Sequence, residues 1–423
     1  MATPSLAMIP SGYKAGKVYS VLPESGVGDF DFTRATTATR INSSGLIETV
    51  AISVPRLEYP MIDGVVSGCP SLLLENSATN LVTYSEDFSN IYWTKSGASV
   101  TSGFSSPDGG LNAFKISEDS LNSTHRILNG NAITTSGDVS ISVFAKKGER
   151  NWIRLTNNNI QGAFFDLENG VIGNVISGIN AKIENYGNGW YRCSISQTGL
   201  ASERLAVFTS IDGVNTTYQG DGTSGVYIYG AQLEVGSFPT SYIKSNSGST
   251  TTRAAETANG AGDASTFNDS EGVLMAEVSV PYKPSNQIIS LSDSTNSDII
   301  FVQFTPTNMF VKIAINGFGE STIHSQSYDV NTLYKVSLKY NGTNTVAYIN
   351  GFISSIGNVT LSNSFTLGLS KLGFNYPTGV LPFYGNTKQI QYYNSALTDS
   401  ELEELTSWTS FTAMAQGQQY SIK

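Results

Sequence analysis

Chemistry in this chain has few residue types to draw on. There are two histidines, His125 and His324, and two cysteines, Cys69 and Cys193. That set supplies a histidine triad or a His-rich metal site poorly, and the cysteines lack the CxxC spacing of a zinc or redox pair. Two free thiols are the simpler reading of Cys69 and Cys193. No GxSxG nucleophile elbow and no GxxxxGK phosphate loop occurs. Carboxylates are plentiful: among 34 acids stand Glu75, Asp166 and Glu168 in the first half and Glu277 and Glu320 in the second. Glycoside hydrolysis needs only two carboxyl groups about 5–10 Å apart. Non-covalent sugar binding needs flat aromatics beside amides and carboxylates, since sugar C–H faces stack on rings and hydroxyls seek paired acceptors. Trp152, Trp190, Tyr227, Tyr229, Tyr282 and Tyr392 are the candidate carbohydrate-binding platforms. Each has a competing role, because aromatics favour strands and fill cores. No catalytic residue, metal ligand or cofactor is assigned.

The elements that must position these groups are strands. Of 423 residues, 39% are hydrophobic and 11% aromatic, enough to build real cores, while only 14% are charged. The net charge of −10 opposes nucleic acid as a partner, because phosphate binding needs a basic field. Met1 to Tyr13 lacks the charged and apolar regions of a signal peptide, and no run approaches 18 apolar residues, so membrane insertion is not expected.

Residues 1–70 carry Pro4, Pro10, Pro23, Pro55, Pro60 and Pro70 among short apolar pieces such as Val18 to Leu22. Too short to enclose a core, this segment is expected to be an extended arm that packs on a neighbouring subunit or a larger particle. Residues 71–245 alternate with period two: Val139, Ile141 and Val143 with Ser140 and Ser142, and Tyr191, Cys193 and Ile195 with Arg192 and Ser194. Alternation places one face in a core and one in solvent, which predicts an antiparallel β-sandwich of jelly-roll type. Residues 246–266, rich in Ser, Thr, Gly and Ala, read as a linker and an accessible hinge. Residues 267–423 form a second sandwich, with Asn341-Gly342 and Asn350-Gly351 as tight turns. Thr398-Asp399-Ser400-Glu401 matches a capping box, and Leu402, Leu405 and Trp408 give the one short helix an apolar face. The fold class is thus mostly β, with two antiparallel β-sandwich domains behind an N-terminal arm.

Some stretches carry a resemblance. Arg34-Ala35-Thr36-Thr37-Ala38-Thr39-Arg40, Pro55-Arg56, Cys69 to Leu81, Tyr84 to Phe88 and Trp93 together resemble bacteriophage virion fibre proteins of the head-spike-fibre type. Trp93, Pro107 to Lys115, Gly189 to Arg192, and Val226 to Glu234 look like a carbohydrate-binding-module jelly roll. Many such modules carry acidic pairs for calcium in the last strand; Ala231-Gln232-Leu233-Glu234 departs from that. Tyr334 to Gly351, Phe383 to Tyr393 and Ala396 to Leu402 resemble a concanavalin A-like/LamG-like domain. The three-acid strand motif of concanavalin-like glucanases is missing, which argues against an enzyme.

The resemblance implies a non-enzymatic head or tail fibre. It would attach to capsid or tail proteins through residues 1–60 and display its sandwiches to host-surface or environmental glycans. It would be assembled in the host cytoplasm as a homotrimer and be exposed on the virion. A polysaccharide-degrading phage enzyme and a purely structural decoration or connector protein are the alternatives.

Overall fold

Period-two patterning and closely spaced Gly and Asn turns leave little room for anything but antiparallel strands, and that is what the chain builds. The computed structural model describes residues 2–407 apart from 158–160, 199–201, 284, 316–318, 343, 355, 357–358 and 361–366. The described fold is mostly β, with the single helix Asp399–Ser407. Trp408 and Thr343 lie outside the described residues. The capping box forms: Thr398 N donates to Glu401 Oε2 at 2.9 Å, and Glu401 N donates to Thr398 Oγ1 at 3.3 Å. Leu402 is buried beside Val346, Tyr348 and Tyr393. Asn350 and Gly351 both have positive φ, 49° and 87°, as a type I′ turn requires.

Two six-stranded antiparallel sheets make the first sandwich. One contains Trp93–Ser96, Arg126–Asn129, Leu205–Ser210, Trp152–Asn157, Gln161–Asp166 and Val171–Val175, paired in that order. The other contains Ala98–Phe104, Ala113–Glu118, Gly225–Val235, Asp138–Lys147, Trp190–Thr198 and Asn180–Asn185. Ile127, Ile153, Phe165 and Val207 of the first meet Ile116, Ile141, Val143, Cys193 and Ile228 of the second in one core. In the second sandwich a nine-stranded sheet, including Glu271–Ser279, Tyr334–Asn341 and Gly385–Tyr393, faces a five-stranded one that includes Gln287–Ser292 and Ile299–Phe304.

The alternation has one surprise. Ser140, Ser142, Arg192 and Ser194, expected to face solvent, are all buried, at 0–4% exposure. The outer face of their sheet is covered. Ile41 and Ile47, from the hairpin Ala38–Ile41/Ile47–Val50, pack with Phe144, Trp190, Tyr229 and Tyr242.

Residues 1–70 are therefore no extended arm. Leu6–Met8 pairs antiparallel with Ile390–Tyr392, and Arg56–Glu58 joins the same nine-stranded sheet through Ser71–Leu74. Leu6, Met8, Val18 and Phe30 are fully buried within the single chain. The apolar pieces too short to enclose a core of their own instead complete the core of the second sandwich.

The linker expectation needs a similar correction. Only 246–250 and 263–265 are exposed stretches. Between them, Thr251–Arg253 pairs with Ala78–Asn80, and Thr257–Asn259 pairs with Phe30–Thr33. Glu256, between those strands, is wholly buried and ion-paired to Arg34 Nη1 at 2.7 Å and to Arg56. Arg56 Nη1 also reaches Glu75 Oε2 at 2.7 Å, and Arg253 Nη1 reaches it at 3.0 Å. Three arginines and two glutamates from four separate segments thus share one dry knot. Burial alone would raise the Glu75 carboxyl, but Arg253 and Arg56 outweigh it and hold it at about 2.

Candidate functional site

A cavity lies where three parts of the chain meet, and one of its lobes is a cleft of about 890 Å³. Its floor is Glu58 to Asp63, one wall is Lys182 to Tyr186 with Tyr191, and the opposite wall is Asn331, Asn386 and Lys388. A second lobe of about 400 Å³ shares Glu58, Lys182, Glu184, Tyr186, Asn331 and Asn386 and continues past Arg192 to Phe238 and Pro281. Combined, the lobes have the size of a small-ligand or oligosaccharide groove.

Local sequence shapes the groove. Gly64 and Gly187, both at positive φ, let two turns touch: a Cβ on Gly64 would sit 2.4 Å from Asn185 Oδ1, and one on Gly187 would sit 2.5 Å from Gly64 O. Asn185 Oδ1 accepts from Gly187 N at 2.9 Å, which fixes the turn. Lys182 and Glu184, two apart on one strand and so on the same side, pair at 2.7 Å. Ser71 Oγ donates to Asn386 Oδ1 at 2.9 Å, which orients that amide. Arg192 Nη2 donates to Ser142 Oγ at 3.0 Å while its guanidinium lies over the Phe144 ring.

Glu58 is the unusual group. Its Oε2 accepts from Ile41 N at 2.7 Å. Burial pushes its carboxyl up to about 7, against the opposing pull of that bond and of Arg56. It can therefore donate or accept near neutrality. The groove as a whole offers donors and acceptors of both charges beside three tyrosines, Tyr59, Tyr186 and Tyr191, a set suited to a hydroxyl-rich ligand.

The six aromatic candidates do not form one platform. Trp190, Tyr229 and Tyr392 are buried at 2%, 2% and 0% exposure and belong to the core, which corrects their reading as platforms. Strand aromatics fill interiors unless a neighbouring surface is left open, and here the N-terminal segment closes it. Trp152 is half-buried and boxed in: a Cβ on Gly173 or Gly213 would come within 2.6 or 2.7 Å of its ring. Tyr227, also half-buried, packs on Phe104, with centroids 4.8 Å apart. Tyr282 stacks on Phe238 at 4.4 Å and 19°, and its hydroxyl accepts from Gln287 Nε2 at 2.7 Å. It reaches the groove only through Phe238, which lines the smaller lobe.

The candidate carboxylates are dispersed. Glu75 lies in the ion knot, with its backbone at the end of the smaller lobe. Asp166 caps its own turn through Glu168 N and Asn169 N. Glu168 pairs with Lys147, Glu320 with Lys312 at 3.0 Å, and Glu277 accepts from Gln389 Nε2 at 2.6 Å. His125 is buried with its ring nitrogens facing Gly97 O and Tyr218 O, and His324 Nδ1 contacts Ser354 Oγ. Cys193 is buried and Cys69 exposed, and both are free. Sequence reasoning missed Glu58, Lys182, Glu184, Tyr186, Asn386 and Lys388. The one available signal was Tyr186-Gly187-Asn188-Gly189, whose Gly and Asn residues mark a tight turn without pointing to a ligand.

No protein-family model and no curated protein sequence matches the chain. Among solved structures, it is similar to the Ruminococcus gnavus IT-sialidase CBM40 bound to alpha2,3 sialyllactose, at 17% identity and TM-score 0.30 over 35% of this chain and 88% of that one. It is similar to domain 4 of AbnA, a GH43 extracellular arabinanase from Geobacillus stearothermophilus in complex with arabinotriose, at 14% identity and TM-score 0.28 over 36% and 73%. It is similar also to a heptameric SAP-like pentraxin from Limulus polyphemus, at 14% identity and TM-score 0.27 over 33% and 71%. Likenesses at these scores carry no weight for ligand or reaction.

Proposed function

We propose that the chain is a non-enzymatic adhesion protein, a fibre of a phage virion, which holds glycans of a host surface or the environment in the groove floored by Glu58. The observation that supports this is the groove itself, with the Lys182–Glu184 pair, the oriented Asn386 amide and Tyr191 converging on about 890 Å³. Weak single sites suffice where many copies act together. Purified chain incubated with bacterial polysaccharides should retain polymer without shortening it. Lys182→Ala combined with Asn386→Ala should weaken retention at least about thirtyfold, the loss expected for one charge-assisted and one neutral hydrogen bond. Unchanged retention in that variant would remove the groove from the proposal.

One observation favours a second reading, polysaccharide cleavage. A carboxyl held near 7 is what a glycosidase uses as general acid, and Glu184 lines the same groove. A fall in polymer size that disappears in Glu58→Gln would establish it.

Placement on a phage particle, through capsid or tail partners, and a trimeric state are part of the same proposal and rest on the resemblance around Arg34 to Arg40 and Cys69 to Leu81. The burial of residues 1–60 within the chain removes the reason first given for trimerisation, an arm in need of a neighbour. Light scattering should give about three times the 45.2 kDa chain mass, by the closed symmetry usual in such assemblies. A clean monomer mass would end the trimer.

A further inference from the structure

One edge of the second sandwich carries a cleft that the groove does not use. Strand Glu320–Ser327 ends the path of the five-stranded sheet, and Phe352–Ile353 ends that of the nine-stranded one. Residues of both line a space of about 440 Å³: His324 and Gln326 from the first, Phe352 and Ile353 from the second, with Ile349 and Asn350. The rim is apolar and wet. Phe352 is 77% exposed, and Ile353 and Ile356 are 46% exposed each. Apolar side chains grouped in this way on one short stretch mark an interaction surface.

His324 gives the cleft its chemistry. The residue is buried, and Ser354 fixes its tautomer. The Ser354 hydroxyl donates its one hydrogen to Ile323 O at 2.8 Å and accepts from Ile356 N at 3.2 Å. It also stands 3.0 Å from His324 Nδ1. With its hydrogen spent it can only accept there, so Nδ1 carries the N–H and Nε2 the lone pair. Burial lowers the His324 pKa and favours this neutral ring. Among the described residues, Nε2 is buried and has no hydrogen-bond partner. The Gln326 amide pulls the pKa the other way, by less, and stands beyond hydrogen-bond distance of Nε2. Ser354 holds the Nδ1 edge of the ring, which leaves the Nε2 edge for the cleft that His324 lines. A buried acceptor without a donor is a standing cost that a suitable donor would relieve.

We propose that this cleft docks an aromatic side chain with a hydrogen-bond donor, tryptophan or tyrosine, of a partner protein. The ring fills the apolar space beside Ile349 and Ile353, and its N–H or O–H donates to His324 Nε2. The rim decides for a protein over a free small molecule. A small ligand in the cleft leaves Phe352 and Ile356 in water, whereas a protein surface around the anchor covers both. An aromatic anchor in a pocket, ringed by contacts that exclude water, is how the centre of a protein interface is built. The cleft shares no lining residue with the groove floored by Glu58.

The test uses the full chain, isotope-labelled at its histidine nitrogens, and a short peptide with one tryptophan between alanines. The chain has only two histidines, and His125, whose ring nitrogens both face carbonyl oxygens, is the internal control. Titration should shift the His324 Nε2 resonance and leave those of His125 in place. The same peptide with its indole N-methylated keeps the ring and loses the donor, and should bind about fivefold to tenfold more weakly. Free indole should also bind more weakly. In His324→Phe the two peptides should bind alike. If that variant does not fold, as judged by thermal melting, Phe352→Ser alters an exposed side chain and should weaken the tryptophan peptide severalfold. Leu121→Ser, at an exposed position of the first sandwich, should leave it unchanged. Absent binding, equal affinity of the two peptides for the natural chain, or equal affinity of free indole overturns the proposal. So does binding that appears only in Trp408→Ala, which makes the chain's own Trp408 the occupant. A mass by light scattering that falls in Phe352→Ser makes the occupant a second copy and overturns it too.

Discussion

Glu58 and Glu75 sit close in sequence and titrate in opposite directions. The folded chain holds the Glu58 proton more tightly than an unfolded chain would, so protonated Glu58 contributes stability that is complete below about pH 4.5 and is lost as pH rises through about 7. Glu58→Gln has no such proton. The stability of the natural chain relative to this variant should therefore fall across that window in urea melts, and a gap independent of pH would contradict the buried placement. Glu75 runs the other way. Its stabilisation is present above about pH 4.5 and is lost as pH falls towards about 2, when the carboxylate leaves Arg253 and Arg56. Breaking the knot from the cationic side is costly wherever the carboxylates are ionised. Arg56→Met leaves Glu256 with Arg34 alone and Glu75 with Arg253 alone, an excess of one buried negative charge, and should cost about 3–5 kcal/mol in denaturant unfolding near neutral pH. The residues that carried the resemblance to phage fibres, Arg34, Arg56 and Glu75, prove to be members of this knot. Their types and spacing were legible in the sequence. Their role was not, because the partner Glu256 lies 200 or more positions from the two arginines.

At the scale of elements, strands, hairpin turns and the capped helix could all be read locally, since each depends on neighbours within a few residues. Thr398→Ala removes the capping hydroxyl and should cost about 1 kcal/mol, seen as a small drop in melting temperature. What local reading could not reach was which strand faces are covered. Ser140, Ser142, Arg192 and Ser194 look solvent-facing until the hairpin at 38–50 is laid over them. The segment 246–266 posed the same problem. Its small polar residues suit a linker, yet from Thr251 onward they pair with two distant strands. Limited proteolysis should therefore nick within the exposed stretches 246–250 and 263–265 and spare the paired strands between them, while the nicked protein keeps a single peak under native conditions. Two separating peaks would restore the hinge.

For the whole molecule, the N-terminal segment is the part that joins the others. It supplies strands to the second sandwich, covers the outer face of the first, and floors the groove between them. Deleting residues 1–60 would expose the apolar faces over Leu72, Leu74 and Tyr392 and remove both arginines from Glu256. The product should be insoluble or lack a cooperative melt, whereas a soluble, cooperatively folding remainder would show the segment to be dispensable. The groove was illegible in the sequence for the same reason. Its walls come from residues near 60, 185 and 386, and none of these residues is of an uncommon type.

The pairing of Leu6–Met8 with Ile390–Tyr392 also bears on how the protein is made. A ribosome releases the first of these strands long before it has synthesised the second. During that interval the N-terminal apolar pieces have no sheet to join, and closing so long a loop is among the slowest steps open to a chain. The first sandwich, whose strands all lie between Trp93 and Val235, has every strand partner it needs before Gly385–Tyr393 is synthesised. The second sandwich must wait for the last strand. Folding of the second sandwich therefore waits until Gly385–Tyr393 has left the ribosome, and until then Leu6–Met8 has no sheet to join.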